Sequence, residues 1–180
     1  MSELAWLLAP MCALVLAAVT LVPLGREVLQ RGVVFVDLAL AQGAACGALL
    51  SALWWDHPAV WKVQVSASLA ALLLAGLVAW VVQRWPAQRE ALIGLLYVAG
   101  ANLALWGASW EPHGRERLDQ LLSADVLWAP WSTIAWFGVC AAPVWLLSLR
   151  WPKTLARNAL FYPLFAVVLS AAVPLLGLYL

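Results

Sequence analysis

Six long apolar runs constrain this chain more than any other feature of its sequence. Each is close to the ~20 residues that an α-helix needs to cross a hydrocarbon core ~30 Å thick. Of the 180 residues, 66% are hydrophobic and only 11% are charged, a smaller charged fraction than soluble domains have. The runs are Leu4–Leu24, Gly32–Trp55, Val63–Gln83, Ala91–Trp110, Trp131–Leu149 and Ala159–Leu180.

The chemistry of the backbone selects the type of secondary structure. Amide and carbonyl groups cannot stay unpaired in lipid, so a spanning segment must be a helix or part of a closed barrel. A barrel would show alternating segments of about ten residues, whereas these runs are longer and continuously apolar. We therefore predict an all-α integral membrane bundle with about six transmembrane helices, in a single domain over residues 1–180.

The distribution of basic residues predicts the orientation of the bundle. No Lys or Arg precedes the first run, whereas Arg26 follows it directly, which is the reverse of a secretory signal. If the N-terminus is outside, the connections at residues 26–31, 84–90 and 150–158 lie inside. They carry seven basic residues, against three in the outer loops. The positive-inside rule favours this orientation, with both ends of the chain outside.

Asp37 is the only ionisable residue that lies inside an apolar run and away from the connections. A carboxylate at mid-membrane costs roughly 3 kcal/mol or more, so it normally faces a bundle interior, a cavity or a permeation path. Measured from a connection that ends at Arg31, Asp37 lies about 9 Å along the helix. Two interpretations stay open: a structural carboxylate bonded to a neighbouring helix, and an ion path that Asp37 lines together with Ala41 and Ala44.

Other residues of the second run bear on the same question. Gln42 is the next polar residue, but it lies about 140° around the helix from Asp37, so the two share a face only if the helix distorts. A complete metal site within this one helix is therefore excluded. Gly43 and Gly47 have the spacing of a small-residue face, which predicts close contact with another helix.

Two further regions carry candidate functional residues. The outer loops contain His57 and His113 beside acidic residues, a combination that suits either divalent-cation contact or a solvated surface. The inner segment RWPKTLARN is typical of a short amphipathic helix that docks a cytoplasmic partner or lies on anionic lipid. The sequence has no HExxH, GxSxG or Walker lysine motif and no basic block for nucleic acid, so we expect neither an enzyme nor a nucleic-acid partner.

Three segments, in their order and at their separations, resemble the permease subunit of bacterial ABC importers for zinc, manganese and related metals. They are RGVVFVDLALAQGAACG at residues 31–47, REALIGLLYVAGANLAL at 89–105 and PHGRERLDQLLSADVLW at 112–128. The similarity extends from about Pro23 to the last residue. It implies a multi-pass homodimer in the bacterial inner membrane, with a cytoplasmic ATPase inside and a periplasmic or extracellular metal-binding protein outside.

The resemblance also implies roles for particular residues. Asp37 would line the ion path, with Gln42 beside it, and would contact the metal transiently, while His113 would be a second candidate metal contact. Zinc, manganese or iron is then the cargo, ATP is used by the partner subunit, and no cofactor stays bound. The ATPase coupling loop would contain Trp151, Pro152, Lys153 and Arg157.

Three departures from the family pattern leave an alternative open. Ala41 stands where many members carry a His, and Arg117 stands where a second His often follows Glu116. The chain also ends at Leu180, whereas family members continue through further helices, so we expect a version shortened at the C-terminus. The alternative is a degenerate, non-transporting membrane subunit with an assembly or regulatory role, in which Asp37 only holds helices together.

Overall fold

A computed structural model of the chain describes residues 7–55, 59–110, 114, 116, 126–150 and 158–177. Within these ranges the chain is helical, with no strand. A short 3-10 turn at Val126–Trp128 precedes the fifth long helix. The long helices are α1 at Leu8–Arg31, α2 at Val36–Trp54, α3 at Val60–Arg84, α4 at Arg89–Ser109, α5 at Trp131–Arg150 and α6 at Asn158–Leu176.

Four of the described helices, α1, α3, α4 and α5, are long and apolar enough to cross a membrane. The apolar stretches of α2 and α6 are shorter, at Val36–Ser51 and Leu160–Leu176. With a rise of 1.5 Å per residue, the 19 residues of α2 extend about 28 Å, close to the hydrocarbon thickness of ~30 Å. The structure thus confirms a helical fold with four helices that could cross a membrane, while six spans and an outer N-terminus stay predictions.

Helix α2 lies at the centre of the bundle, where it packs against α3, α4 and α6. Every residue from Ala39 to Ala45 is buried. A helix that is apolar on all sides is typical of a position enclosed by other helices. Because its middle faces protein rather than lipid, α2 does not need the apolar length of a lipid-facing span.

The predicted close contact of Gly43 and Gly47 with a neighbouring helix is confirmed, and the neighbour is α3. A Cβ added at Gly47 would lie 2.9 Å from the Cα of Ala67 and 2.7 Å from the Cβ of Ala70. The hydroxyl of Ser66 donates a hydrogen bond to the carbonyl of Gly47 across the same contact. The two backbones therefore approach more closely than any side chain at Gly47 would allow.

A second contact joins α3 to α6 through polar side chains. The Nε2 atom of Gln64 donates to the carbonyl of Ser170 at 3.1 Å, and the hydroxyls of Ser68 and Ser170 lie 2.9 Å apart. Gln64 and Ser170 are buried, so these bonds pair groups that would otherwise lack partners in an apolar interior.

The prediction of a loop at residues 26–31 is wrong, because these residues form the last turns of α1. The side chains of Glu27 and Arg31 form an ion pair one turn apart, with 3.6 Å between N and O, which supports the helix there. Gly32 then ends α1 in the left-handed conformation, with φ 60° and ψ 45°. The turn to α2 is consequently Gly32–Phe35, and the predicted depth of Asp37 is also wrong, since Asp37 lies in the first turn of α2.

We expect Gly47→Ala to lower the free energy of unfolding by about 1–3 kcal/mol, because the added methyl group meets the backbone of α3. Unfolding by sodium dodecyl sulfate in mixed micelles measures this change. Gly76→Ala in α3 is the matched control, since a Cβ at Gly76 has nothing within 4 Å. Equal effects of the two substitutions would contradict the close α2–α3 contact.

Candidate functional site

Asp37 lies at one end of the bundle, in the first turn of α2, and its side chain is half-buried. Its Oδ1 atom accepts a hydrogen bond from the backbone N–H of Leu38 at 2.7 Å. The amino-terminal end of a helix carries a partial positive charge, which favours a carboxylate there. Local bonding and the helix dipole therefore offset part of the cost of a half-buried charge at this position.

Glu90, in the first turn of α4, holds the turn that leads into α2. Its Oε2 accepts from the backbone N–H of Val34 at 3.1 Å, and its Oε1 accepts from that of Phe35 at 3.2 Å. Phe35 is the N-cap residue of α2, and its side chain makes no capping bond. Glu90 thus acts as the cap from another helix, across 55 and 56 residues of sequence.

The residue before Glu90 contacts the same turn. A Cβ added at Gly32 would lie 2.7 Å from Nη2 of Arg89, so the guanidinium group packs directly on the glycine. Gly32 is therefore favoured by its positive φ, whereas a Cβ there would only displace the flexible end of Arg89. Through Arg89 and Glu90, the beginning of α4 is fixed to the connection between α1 and α2.

Arg31, the last residue of α1, joins the beginning of α6 to the same region. Its guanidinium carbon lies 4.0 Å from the ring centroid of Phe161 and 5.9 Å from that of Tyr162. Cation–π contacts of this kind are worth more where water is excluded, and both rings are buried. We call Arg31, Asp37, Arg89 and Glu90 the charged cluster, and it lies where α1 ends and where α2, α4 and α6 begin.

Gln42 lies deeper along α2 and faces α4. Its side chain is 8% exposed, and its Cβ would lie only 3.1 Å from a Cβ added at Gly100. The Sγ of Cys46 donates to the carbonyl of Gly100 at 3.2 Å, in the same contact. Gln42 lies about 7.5 Å along α2 from Asp37.

The small residues that the sequence places on the side of Asp37 are packed in this conformation. Ala41 is 5% exposed and Ala44 is 1% exposed, so both fill contacts between helices. A path along this side of α2 therefore opens only if α2 moves away from a neighbour.

Among the residues that the structure describes, no three His, Cys, Asp or Glu side chains lie together in a group that could hold a metal ion. Oxygens of both Asp37 and Glu90 already accept hydrogen bonds from backbone amides. Several predicted residues lie outside the described part of the chain: His113, Trp151, Pro152, Lys153 and Arg157.

The sequence analysis did not identify Glu90 as a site residue. Glu90 stands at the end of the predicted connection 84–90, and its partners are backbone amides, which are present whatever the residue type. A local signal existed at Phe35, which cannot cap the helix that it precedes, so the amides there need an acceptor from elsewhere.

Comparison with known proteins assigns the chain to no family. No protein-family model, no curated protein and no solved structure matches it. The contacts of its own residues, together with the segments that resemble metal-importer permeases, are therefore the basis for a functional proposal.

We expect Asp37→Asn to change the free energy of unfolding by no more than about 1 kcal/mol, because the amide oxygen can still accept from Leu38 and only the charge–dipole term is lost. Unfolding in mixed micelles measures this. A loss above ~2 kcal/mol would instead identify Asp37 as a structural carboxylate.

Proposed function

We propose that this protein is the permease subunit of an ABC importer that moves a divalent metal ion across the bacterial inner membrane. Zinc, manganese or iron is the cargo, and a separate cytoplasmic ATPase supplies the energy. A periplasmic or extracellular metal-binding protein delivers the ion, and a second copy of the permease completes the transporter. The chain itself hydrolyses nothing.

The contact between α2 and α4 is the observation that most supports this proposal. Two of the three segments that resemble the importer permeases, residues 31–47 and 89–105, belong to these helices and pack against each other. The two segments meet at two places along α2. One is the turn before α2, which Glu90 holds, and the other is the middle of α2, where Gly100 lies beside Gln42 and Cys46. Segments that are distant in sequence thus form one unit around Asp37.

In this proposal Asp37 contacts the cation briefly at the inner end of the path. A permeation site must bind weakly enough to release its ion, and one carboxylate with neutral oxygens suits that requirement. Because the middle of α2 is buried on all sides, passage requires α2 to part from a neighbouring helix. Alternation between two packings of α2 would expose the site to each side of the membrane in turn.

The proposal includes six spans with the N-terminus outside. The charged cluster then lies on the inner side, together with Arg26 and Arg84, as the positive-inside rule requires. Helices α2 and α6, with their shorter apolar stretches, count as spans that other helices enclose. The segment between α5 and α6, with Trp151, Pro152, Lys153 and Arg157, would form the ATPase coupling loop on the same side.

This orientation predicts the accessibility of two exposed positions in sealed, right-side-out vesicles of a variant whose three native cysteines are replaced. A membrane-impermeant thiol reagent should label Ala59→Cys, between α2 and α3, in intact vesicles. It should label Gln88→Cys, between α3 and α4, only after the membrane is opened. The reverse pattern would place the N-terminus inside.

One observation favours the alternative of a non-transporting subunit with an assembly or regulatory role. Asp37 is bonded to its own backbone, and the described residues contain no metal-binding group. In that case Asp37 contributes only to the stability of α2, and the contacts of the charged cluster serve assembly alone.

Metal uptake by vesicles that contain the chain with its ATPase and metal-binding partners tests the transport proposal. We expect Asp37→Asn to lower uptake at least about tenfold, or ~1.4 kcal/mol in the barrier, with unchanged assembly. Gly76→Ala, at an open position on α3, is the control and should keep most of the uptake. Full uptake by Asp37→Asn would remove Asp37 from the mechanism, and no uptake by the unaltered chain would favour the alternative.

A further inference from the structure

We propose that Glu90 and Arg31 form a clasp through which the start of α6 controls the position of α2. Glu90 is a positioning residue in this clasp, because it acts on α2 through the backbone of the turn before it. The role deepens the proposed transport function, on which it rests, since an ion can pass Asp37 only when α2 moves. In this proposal, the side chains of Arg31 and Glu90 couple a movement at the start of α6 to a movement of α2.

The first link of the clasp fixes the entry of the chain into α2. The turn Gly32–Phe35 has four residues, and Glu90 accepts hydrogen bonds from the backbone of two of them. Bonds to a charged carboxylate are stronger than bonds between neutral groups, and two parallel bonds fix an orientation as well as a distance. Arg89 packs on Gly32 in the same turn, so α4 holds the turn from its first residue to its last.

The second link connects this turn to α6. Arg31 immediately precedes the turn and lies over the ring of Phe161, in the first turns of α6. The guanidinium carbon of Arg31 also lies 5.9 Å from the ring centroid of Tyr162. Residues 151–157 join α5 to α6 and lead directly into these turns. A displacement of that segment would therefore reach Arg31 through Phe161 and Tyr162, and then the turn that Glu90 holds.

The other contacts of α2 are of a different kind. At Gly47 the helix lies backbone to backbone against α3, and at Gly43 it lies against the side chain of Leu74, so little movement is possible there without a clash. At the charged end, Glu90 holds the turn before α2 by hydrogen bonds, and Arg31, which precedes that turn, makes a cation–π contact with α6. Contacts of both kinds can break and form again. The glycine contact is thus suited to act as a pivot and the clasp as the movable end of α2.

Hydrogen–deuterium exchange of the whole chain in lipid nanodiscs tests the clasp without any transport. We expect Glu90→Ala to speed exchange at Val34 and Phe35 at least about tenfold, with Glu90→Gln intermediate because it keeps one acceptor oxygen. Phe161→Leu keeps an apolar side chain but removes the ring over Arg31, and it should speed exchange at the same two amides several-fold.

The double variant gives the decisive comparison. If the two links act in series, adding Phe161→Leu to Glu90→Ala should raise the exchange rate at Val34 and Phe35 by less than about twofold. Unchanged exchange at Val34 and Phe35 in Phe161→Leu would overturn the clasp, and so would fully additive effects. Gly76→Ala, at an open position on α3, should leave the exchange of both amides unaltered.

In the assembled transporter, the ratio of metal moved to ATP hydrolysed separates coupling from simple loss of structure. We expect Glu90→Ala to lower this ratio at least about tenfold while assembly and ATP hydrolysis persist, with partial rescue by Glu90→Gln. Parallel losses of assembly, hydrolysis and uptake would overturn the positioning role. If the unaltered chain moves no metal, the transport proposal fails, and the exchange experiment still decides whether the clasp exists.

Discussion

Every backbone amide at the start of a helix in an apolar bundle needs an acceptor, and the start of α2 depends on one that comes from a distant helix. Glu90 accepts from Val34 and Phe35, and Asp37 accepts from Leu38. The N–H of Val36 bonds to the carbonyl of Val33 at 3.2 Å. Without Glu90, two amides of the turn would lose these partners, at a cost of roughly 0.5–1.5 kcal/mol each, because Val34 and Phe35 are exposed and water can replace the carboxylate. The location of α4 beside this turn is therefore a condition for α2 to begin where it does.

The composition of α2 follows from its central position. A helix with neighbours on several sides must let them approach, and α2 does so with alanine and glycine at successive levels between Ala39 and Gly47. Small residues lower the contact area of each pair, but they shorten the distance between backbones and permit bonds such as the one from Ser66 to Gly47. The same residues leave little space around the helix, so α2 combines tight packing in its middle with polar contacts at one end.

The sequence was sufficient for the helical class and for the close contact of α2, because both follow from the spacing of apolar and small residues along one helix. It was misleading at residues 26–31, where charge suggested a connection. Charged residues there extend α1 past its apolar part, and nothing breaks the helix before Gly32. The role of Glu90 could not be predicted from the sequence, because it depends on how α4 packs against a turn more than fifty residues earlier in the chain. Its hydrogen-bond partners are backbone amides, which every residue except proline has.

The position of Asp37 changes the physical argument about its function. At mid-membrane, a lone carboxylate would itself demand a polar path, because its burial would be so costly. In the first turn of α2, the helix dipole and the N–H of Leu38 satisfy part of the charge, which also lowers its attraction for a cation. Such a carboxylate would bind a cation weakly, which suits a permeation site because the ion must be bound and released in each cycle. Selectivity for a metal would then come from the groups that meet Asp37 when α2 moves, and the polar contacts at its charged end are the ones that such a movement would break first.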